Sequence, residues 1–469
     1  MSSKPVLPPP DNVEAERRPL LAQRHQQAEA KALHDATHEV IYQRFSPSQK
    51  TAIVAIVSVG GFLPLFIPSV PEIARDIDST GPAVSFTGSL SILATALGSL
   101  MWSGYSTYYG RRAIYFAGLH ILVVGSVGVA AAQTLPQLLV WRFVQAFGCA
   151  GGFPLGSGVI GDIYKLEERG TASLLAPAIA PLVGGIAAEY SSWRILQLIL
   201  GLWGCLEYVP IWALLPETSH PGKRGIDKVP EGERSGIMVV NPIAGLGLMR
   251  SPNLFFVSVA GSAVLLTSYV LLVPLAYTVG VRYNITSSAL VGACFLPSGL
   301  GSLTGAPLGG RVSDIIVRRW RKCRGGEWVL EDRLRAAWVG GVLLAPLSVE
   351  TAGLVTEYVD GTIGLVLVLV CLFTNGIGVD FVLSHTAAYG VDLIHSRSAE
   401  IIAASSALHN LIMAAATAVI LPSVERFGVA ATNIGAAVLA WLGYGFIHVT
   451  IRYGKQLRAF SLDVGYSTL

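Results

Sequence analysis

Leu97–Arg112 reads LGSLMWSGYSTYYGRR, an apolar run that stops at a pair of arginines. Residues 83–103 before the pair and 113–133 after it contain no Asp, Glu, Lys or Arg. Each is long enough to cross the hydrocarbon core of a bilayer as a helix, which takes about 20 apolar residues. The stretch therefore reads as a tight turn between two membrane spans, with Gly104 and Gly110 supplying the freedom to reverse direction.

The composition agrees. Of the 469 residues 52% are hydrophobic and 13% charged, with a mean hydropathy of +0.56, whereas a soluble domain carries about 25% charged residues. The net charge of +3 is too small to suggest a nucleic-acid partner. Cys149, Cys205, Cys294, Cys323 and Cys371 form no CxxC or Cys/His cluster, and four of them lie in apolar runs. No disulfide framework, metal site or cofactor is expected from them. No nucleophile–base arrangement suggests an enzyme. Residues 1–49 are polar, with a proline run and mixed charge but no apolar core. They are expected to form a disordered cytoplasmic tail rather than a cleaved signal peptide.

Twelve apolar runs are candidate spans: 51–70, 83–103, 113–133, 136–159, 171–190, 195–215, 254–280, 286–308, 336–356, 362–387, 400–422 and 429–451. They are continuous rather than alternating, which predicts helices and not barrel strands. The polar stretch 216–253 divides them into six-helix bundles at 50–215 and 254–452, joined by a cytoplasmic loop, with a tail at 453–469. Of the 33 Lys and Arg residues, 28 fall on one set of connections and tails, and only Arg75, Arg194, Arg282 and Arg426 fall on the other. Basic residues mark the cytoplasmic side, so both termini are expected there.

Two echoes join the halves. Ser106-Thr-Tyr-Tyr-Gly-Arg111-Arg112 closes span 2, and Ser313-Asp-Ile-Ile-Val-Arg318-Arg319 closes span 8, 207 residues on. After span 4, GDIYKLEERGTA is echoed after span 10 by GVDLIHSRSAE, pairing Asp162 with Asp392 at an offset of 230. The extra 23 residues are expected in the longer connection between spans 8 and 9. A duplicated six-helix unit is the arrangement of a secondary transporter.

These residues resemble a known family. GYSTYYGRR is similar to the cytoplasmic loop signature G-x-L-x-D-R-x-G-R-R of the major facilitator superfamily. Arg142-Phe-Val-Gln145-Ala-Phe-Gly148 resembles its R-x-x-Q-G-x-G motif, and Ala176-Pro177-Ala-Ile-Ala-Pro181-Leu-Val-Gly184-Gly185 resembles its Gly-Pro-rich antiporter signature. GVIGDIYKLEERGTA and LIHSRSAE are similar to fungal twelve-span drug:proton antiporters. The resemblance implies a major facilitator fold and a monomer in lipid that moves a small molecule, with a proton gradient as the coupling source. It implies that Gly104, Gly110, Arg111, Arg112, Asp314, Arg318 and Arg319 belong to gating loops. Thr107 and Tyr108 stand where the family has Asp and Arg, which predicts a weaker inner lock in the N-terminal half. Ala176 and Ala180 replace glycines, and span 5 is short beside its relatives.

A charge near the centre of a span costs about 2.5–3.5 kcal/mol, so each needs a reason to be there. Arg142 lies some seven residues into span 4, about 10 Å deep at 1.5 Å per residue, with Gln145 one turn away on the same face. The resemblance implies proton transfer or the binding of a substrate carboxylate; the competing reading is an arginine snorkelling to the outer interface. Asp380 lies well inside span 10. A carboxylate there can alternate between protonated and charged forms and so couple protons or recognise a cation, or it can make a structural hydrogen bond. His385 and His409 could titrate but also suit packing, and Glu207 faces either lipid or the bundle.

Gly305 and Gly309 have the G-x-x-x-G spacing of close helix packing, and Tyr269 and Tyr277 either line a cavity or sit at an interface. Glu16-Arg-Arg-Pro-Leu20-Leu21 has the pattern of an acidic dileucine signal for vacuolar or endosomal membranes; otherwise the plasma membrane is expected. The reading at this point is a proton-coupled exporter, with proton-coupled uptake, vacuolar release or a non-transporting receptor on the same fold as alternatives.

Overall fold

An apolar chain can cross a bilayer only if every backbone N–H and C=O is paired within the protein, and a helix achieves this within one segment. The computed structural model describes residues 70–152, 192–219, 224–228, 241–285, 287–327, 329–393 and 398–463, with single residues and short pieces at 46, 48–50, 53, 155, 156, 159 and 163. Among these there is no strand. Nine described helices are long and apolar enough to cross a membrane, at 86–109, 111–131, 193–214, 252–280, 289–323, 332–358, 361–393, 400–427 and 429–459. They answer to spans 2, 3 and 6–12. Span 4 begins with the helix Leu135–Cys149. Nearly all of span 1, all of span 5 with Pro177, Pro181, Gly184 and Gly185, Asp162, the dileucine-like pattern and most of the central loop lie outside the described residues.

Several boundaries differ from the sequence reading. The helix of span 10 runs Gly361–Leu393, that of span 12 runs Val429–Asp463 into the residues expected as a tail, and two more differences bear on the turns. The helix of span 2 runs Gly81–Tyr109, so Gly104 lies inside it and is no turn residue. Gly110 alone makes the turn, at φ 103° and ψ 163°, and the next helix starts at Arg111. The helix of span 8 runs Leu296–Cys323, which places Asp314, Arg318 and Arg319 on an exposed helical extension rather than in a loop. Nothing in SDIIVRRWRKC opposes helix; the break comes at Gly325 and Gly326, both at positive φ.

The duplication is visible in the packing. A methyl group added at Gly98 of span 2 would meet the Phe147 carbonyl oxygen of span 4 at 2.9 Å, and one at Gly305 of span 8 would meet that of Ile377 in span 10 at 2.7 Å. Likewise a methyl at Gly118 of span 3 would meet the Gly148 carbonyl oxygen at 2.8 Å, and one at Gly340 of span 9 would meet that of Gly378 at 2.6 Å. Such contacts need the missing Cβ, since only glycine lets two helix backbones approach this closely. Spans 2 and 8 are thus related by 207 residues, spans 3 and 9 by 222, and spans 4 and 10 by 230. The length difference is therefore shared: 15 residues enter between spans 8 and 9, and 8 more between spans 9 and 10.

One matched site has exchanged its large and small residues. In the N-terminal half Trp102 lies over Gly151 and beside Leu155. The matching positions in the other half hold Gly309, Phe381 and His385, and a methyl at Gly309 would lie 3.5 Å from Phe381 and 3.2 Å from His385. The His385 ring fills part of the volume that Trp102 takes up in the first half.

The halves meet towards the outer side. Thr417 of span 11 donates to the Ser89 hydroxyl of span 2 at 3.0 Å. Tyr277, in a π-helical turn at the outer end of span 7, packs on an N-terminal cluster that includes Ile73, Val84, Leu138 and Trp193.

Candidate functional site

The span 2–3 turn has an acid after all, supplied from beyond span 6. Glu217 Oε1 accepts from the Arg111 backbone N–H at 2.9 Å, a carboxylate at a helix N-terminus where unpaired N–H groups and the helix dipole favour negative charge. The same carboxylate occupies the space a side chain at Gly110 would need. Arg111 Nη1 donates to the Ser106 hydroxyl at 2.6 Å and Arg112 Nη2 to the Trp212 carbonyl at 2.6 Å. Tyr108, in place of the family's arginine, packs against Gly225 of the central loop.

On the other half the structural match of Arg111, at an offset of 222, is Arg333 and not Arg318. Arg333 pairs with Asp392 at 2.5 Å. Beside it Arg324 makes two hydrogen bonds, of 2.7 and 2.6 Å, to the fully buried Asp332, a contact that holds the Arg324 guanidinium above its ordinary pKa. Arg335 joins the same carboxylate at 3.2 Å and lies over Trp320, and Arg458 of span 12 pairs with Glu331. The connection between spans 8 and 9 is therefore a charged brace tying spans 8, 9, 10 and 12. No ion pair among the described residues engages Asp314, Arg318 or Arg319.

Deeper in the N-terminal half, Arg142 and Gln145 lie together. Arg142 Nη1 donates to Gln145 Oε1 at 2.5 Å, while Gln145 Nε2 donates to Ser126 Oγ of span 3 at 2.9 Å and to Gln197 Oε1 of span 6 at 2.8 Å. All four are buried. Gly125 makes room, because a side chain there would strike the Gln145 backbone. Ser126 and Gln197 are not conspicuous in the sequence. A lone glutamine in an apolar run costs free energy unless it is hydrogen-bonded, and that argument, applied to span 6, would have found Gln197.

Glu207 lies on the same buried stripe of span 6, facing the bundle and not lipid, near Tyr115 of span 3 and Cys149 of span 4. In the other half Asp380 is half-buried with its carboxylate against the Ser302 hydroxyl of span 8. His385 turns Nδ1 to the Phe381 carbonyl of its own helix. His409 lies against Gly261 of span 7. Asp380 and Arg142 are not joined by any hydrogen bond or ion pair among the described residues. By the repeat Asp380 matches Ala150, eight residues further in than Arg142, an axial step of about 12 Å.

Asn375 is the counterpart of Gln145, and Ser348 that of Ser126. Asn375 Nδ2 donates to Thr267 Oγ1 at 2.9 Å and Ser348 Oγ at 3.2 Å, and its Oδ1 accepts from Ser268 at 2.8 Å. Leu372 stands where the first half has Arg142. A duplicated amide–serine latch thus serves an arginine in one half and span 7 in the other.

The sequence model described as the Major Facilitator Superfamily matches residues 51–422. The chain belongs to the Major Facilitator Superfamily. Among curated relatives it is 26% identical over 449 residues to the efflux pump radE of Floropilus chiversii, covering 89% of this chain and 82% of that protein. It is 25% identical to the multidrug transporter DTR1 of Candida glabrata, over 86% of this chain and 84% of that one. A local match, 29% identical over 38% of this chain and 36% of the relative, is to citrate exporter 1 of Aspergillus niger. Among solved structures, the human organic anion transporter MFSD10 superposes with a TM-score of 0.60 at 16% identity, over 86% of this chain and all of that one. That likeness shows the major facilitator fold. The all-α, major facilitator reading and the resemblance to fungal efflux transporters of the superfamily stand, nine of the twelve expected spans being long apolar helices among the described residues, and the protein is a multi-pass membrane protein.

Proposed function

We propose that the protein is a proton-coupled antiporter of the plasma membrane that exports a small organic molecule by alternating access. The observation that carries this reading is the pair of ionisable groups on matched spans, Arg142 on span 4 and Asp380 on span 10. Each sits where a charge is costly unless it has work to do. Arg142 supplies a cation to a substrate carboxylate or polar group, and Asp380 supplies an exchangeable proton nearer the cytoplasmic side. The efflux pumps and exporters among its relatives support the outward direction. Contacts between the halves at Thr417–Ser89 and around Tyr277 are what closure of the outer side requires. Rocking of the halves then exposes the two groups to each side in turn.

The test is transport in proteoliposomes under an imposed pH gradient, with radiolabelled citrate as the anionic probe and rhodamine 6G as the cationic one. One probe should move against the proton flux, and Asp380→Asn should abolish the response to the gradient. Movement of substrate and proton together, no movement of either probe, or full coupling in Asp380→Asn refutes the proposal.

A further inference from the structure

We infer that Gln197 of span 6 is a positioning residue for Arg142, acting through the amide of Gln145. The inference rests on the reading of Arg142 as the substrate- or proton-handling cation.

A glutamine amide has two N–H donors and one carbonyl acceptor, and its orientation is read from its partners. Gln145 Nε2 has both donors committed, to Ser126 Oγ at 2.9 Å and to Gln197 Oε1 at 2.8 Å. Those two partners leave only one way for the amide to face, with Oε1 toward the guanidinium of Arg142, which donates to it at 2.5 Å. Gln145, Ser126, Gln197 and Arg142 are 0%, 0%, 3% and 6% exposed, so water is not at hand to replace a missing partner. Ser126 spends its own proton on the Leu122 carbonyl at 2.8 Å, so its oxygen also accepts from Gln145. Removing the Gln197 carbonyl leaves that single hydrogen bond to hold the amide, frees one donor and loosens Oε1 against the guanidinium. Span 6 reaches the site because Gly201 and Gly204 bring it against Ser126 and Val123 of span 3.

The other half supplies the contrast. There the matching amide, Asn375, gives its acceptor oxygen to the Ser268 hydroxyl, and the residue matching Arg142 is Leu372. Stitching helices together therefore does not require the N-terminal arrangement. Reserving the amide oxygen for an arginine is peculiar to the N-terminal half, and Gln197 together with Ser126 reserves it.

The experiment needs no knowledge of the substrate. Full-length protein in nanodiscs is treated with phenylglyoxal, and modification of Arg142 is followed by peptide mass spectrometry. Gln197→Leu should speed labelling of Arg142 by about tenfold, the factor that one lost hydrogen bond to a charged group supports. Gln197→Glu retains an acceptor for Gln145 Nε2 and should restore slow labelling. Asn375→Leu, which breaks the matching latch in the other half, should leave Arg142 unchanged and controls for general loosening. Equal labelling of Arg142 in wild type and Gln197→Leu overturns the inference, as does equal acceleration in Asn375→Leu. Citrate and rhodamine 6G flux in Arg142→Leu is measured alongside: unimpaired flux there overturns the reading of Arg142 while leaving the labelling result to decide the role of Gln197.

Discussion

Replacing Gly110 by alanine tests how the cytoplasmic turn between spans 2 and 3 is built. At φ 103° and ψ 163° the backbone lies in a region open in practice only to glycine, and placing alanine there costs about 1–3 kcal/mol. The new methyl also falls on the Glu217 carboxylate, which must leave the Arg111 N–H that it caps at 2.9 Å; losing such a cap costs about 0.5–2 kcal/mol. The two effects together give roughly 1.5–5 kcal/mol. Gly88→Ala in the same helix is the control, because nothing lies within 4 Å of the added methyl and alanine is favoured over glycine in a helix by about 0.5–1 kcal/mol. Unfolding of the purified protein in detergent, followed by tryptophan fluorescence against temperature, should place Gly110→Ala well below wild type and Gly88→Ala at or above it. Glu217→Ala combined with Gly110→Ala should lose less than the sum of the single changes, since the carboxylate is then already gone. A Gly110→Ala protein as stable as Gly88→Ala, or strict additivity in the double variant, refutes this account of the turn.

Gly305→Leu should separate spans 8 and 10 and abolish folded protein on size-exclusion chromatography, because even a methyl there meets the Ile377 carbonyl at 2.7 Å; Gly310→Leu, with open space around it, should elute as wild type. Asn375→Leu removes the amide shared by spans 7, 9 and 10 and should cost about 1–2 kcal/mol in the same thermal assay, the scale of inter-helix hydrogen bonds in membranes. On the outer side, the Arg194 hydrogen bond, aided by Trp193, holds the Asp76 carboxyl below the usual carboxylate range. A depressed folded-state value means stability that is present above the unfolded pKa of about 3.9 and is lost as pH falls through the folded value. Asp76→Asn should therefore lower stability at pH 7, by no more than about 1 kcal/mol for so exposed a pair, and the gap to wild type should close as pH falls below about 4. An equal gap at pH 3 and pH 7 contradicts the ion pair.

Spans 2, 3 and 6–12 were legible because an apolar window of bilayer length with few or no charges is what a membrane-crossing helix requires and what a soluble fold seldom contains. The ends of helices were less so. The first charges of span 8 suggest a stop, yet a helix needs no apolar residue to continue past the membrane, and Asp314, Arg318 and Arg319 simply prolong it. The glycine pair at 325–326 was the better stop signal. Gly104 misled because a glycine near a turn is not always its pivot. Glu217 could not be paired with Arg111 from sequence, since the two are 106 residues apart and only folding brings them together. Arg142 and Gln145 were visible as a pair one turn apart, whereas Ser126 and Gln197 sit on other spans and carry no charge to draw notice.

The exchange of bulk between Trp102 over Gly151 and Gly309 under Phe381 bears on how the two halves could be recombined. Each half solves the same packing problem with the large ring on the opposite helix. A chimera that moves span 2 alone into the second half sets Trp102 against Phe381, two rings in one space, while the reverse transplant sets Gly309 against Gly151 and leaves a hole. Spans 2 and 4, or 8 and 10, are interchangeable only as couples. After duplication the unit of divergence was therefore the helix pair, and any engineered hybrid of this transporter has to cut the chain so that each couple travels whole.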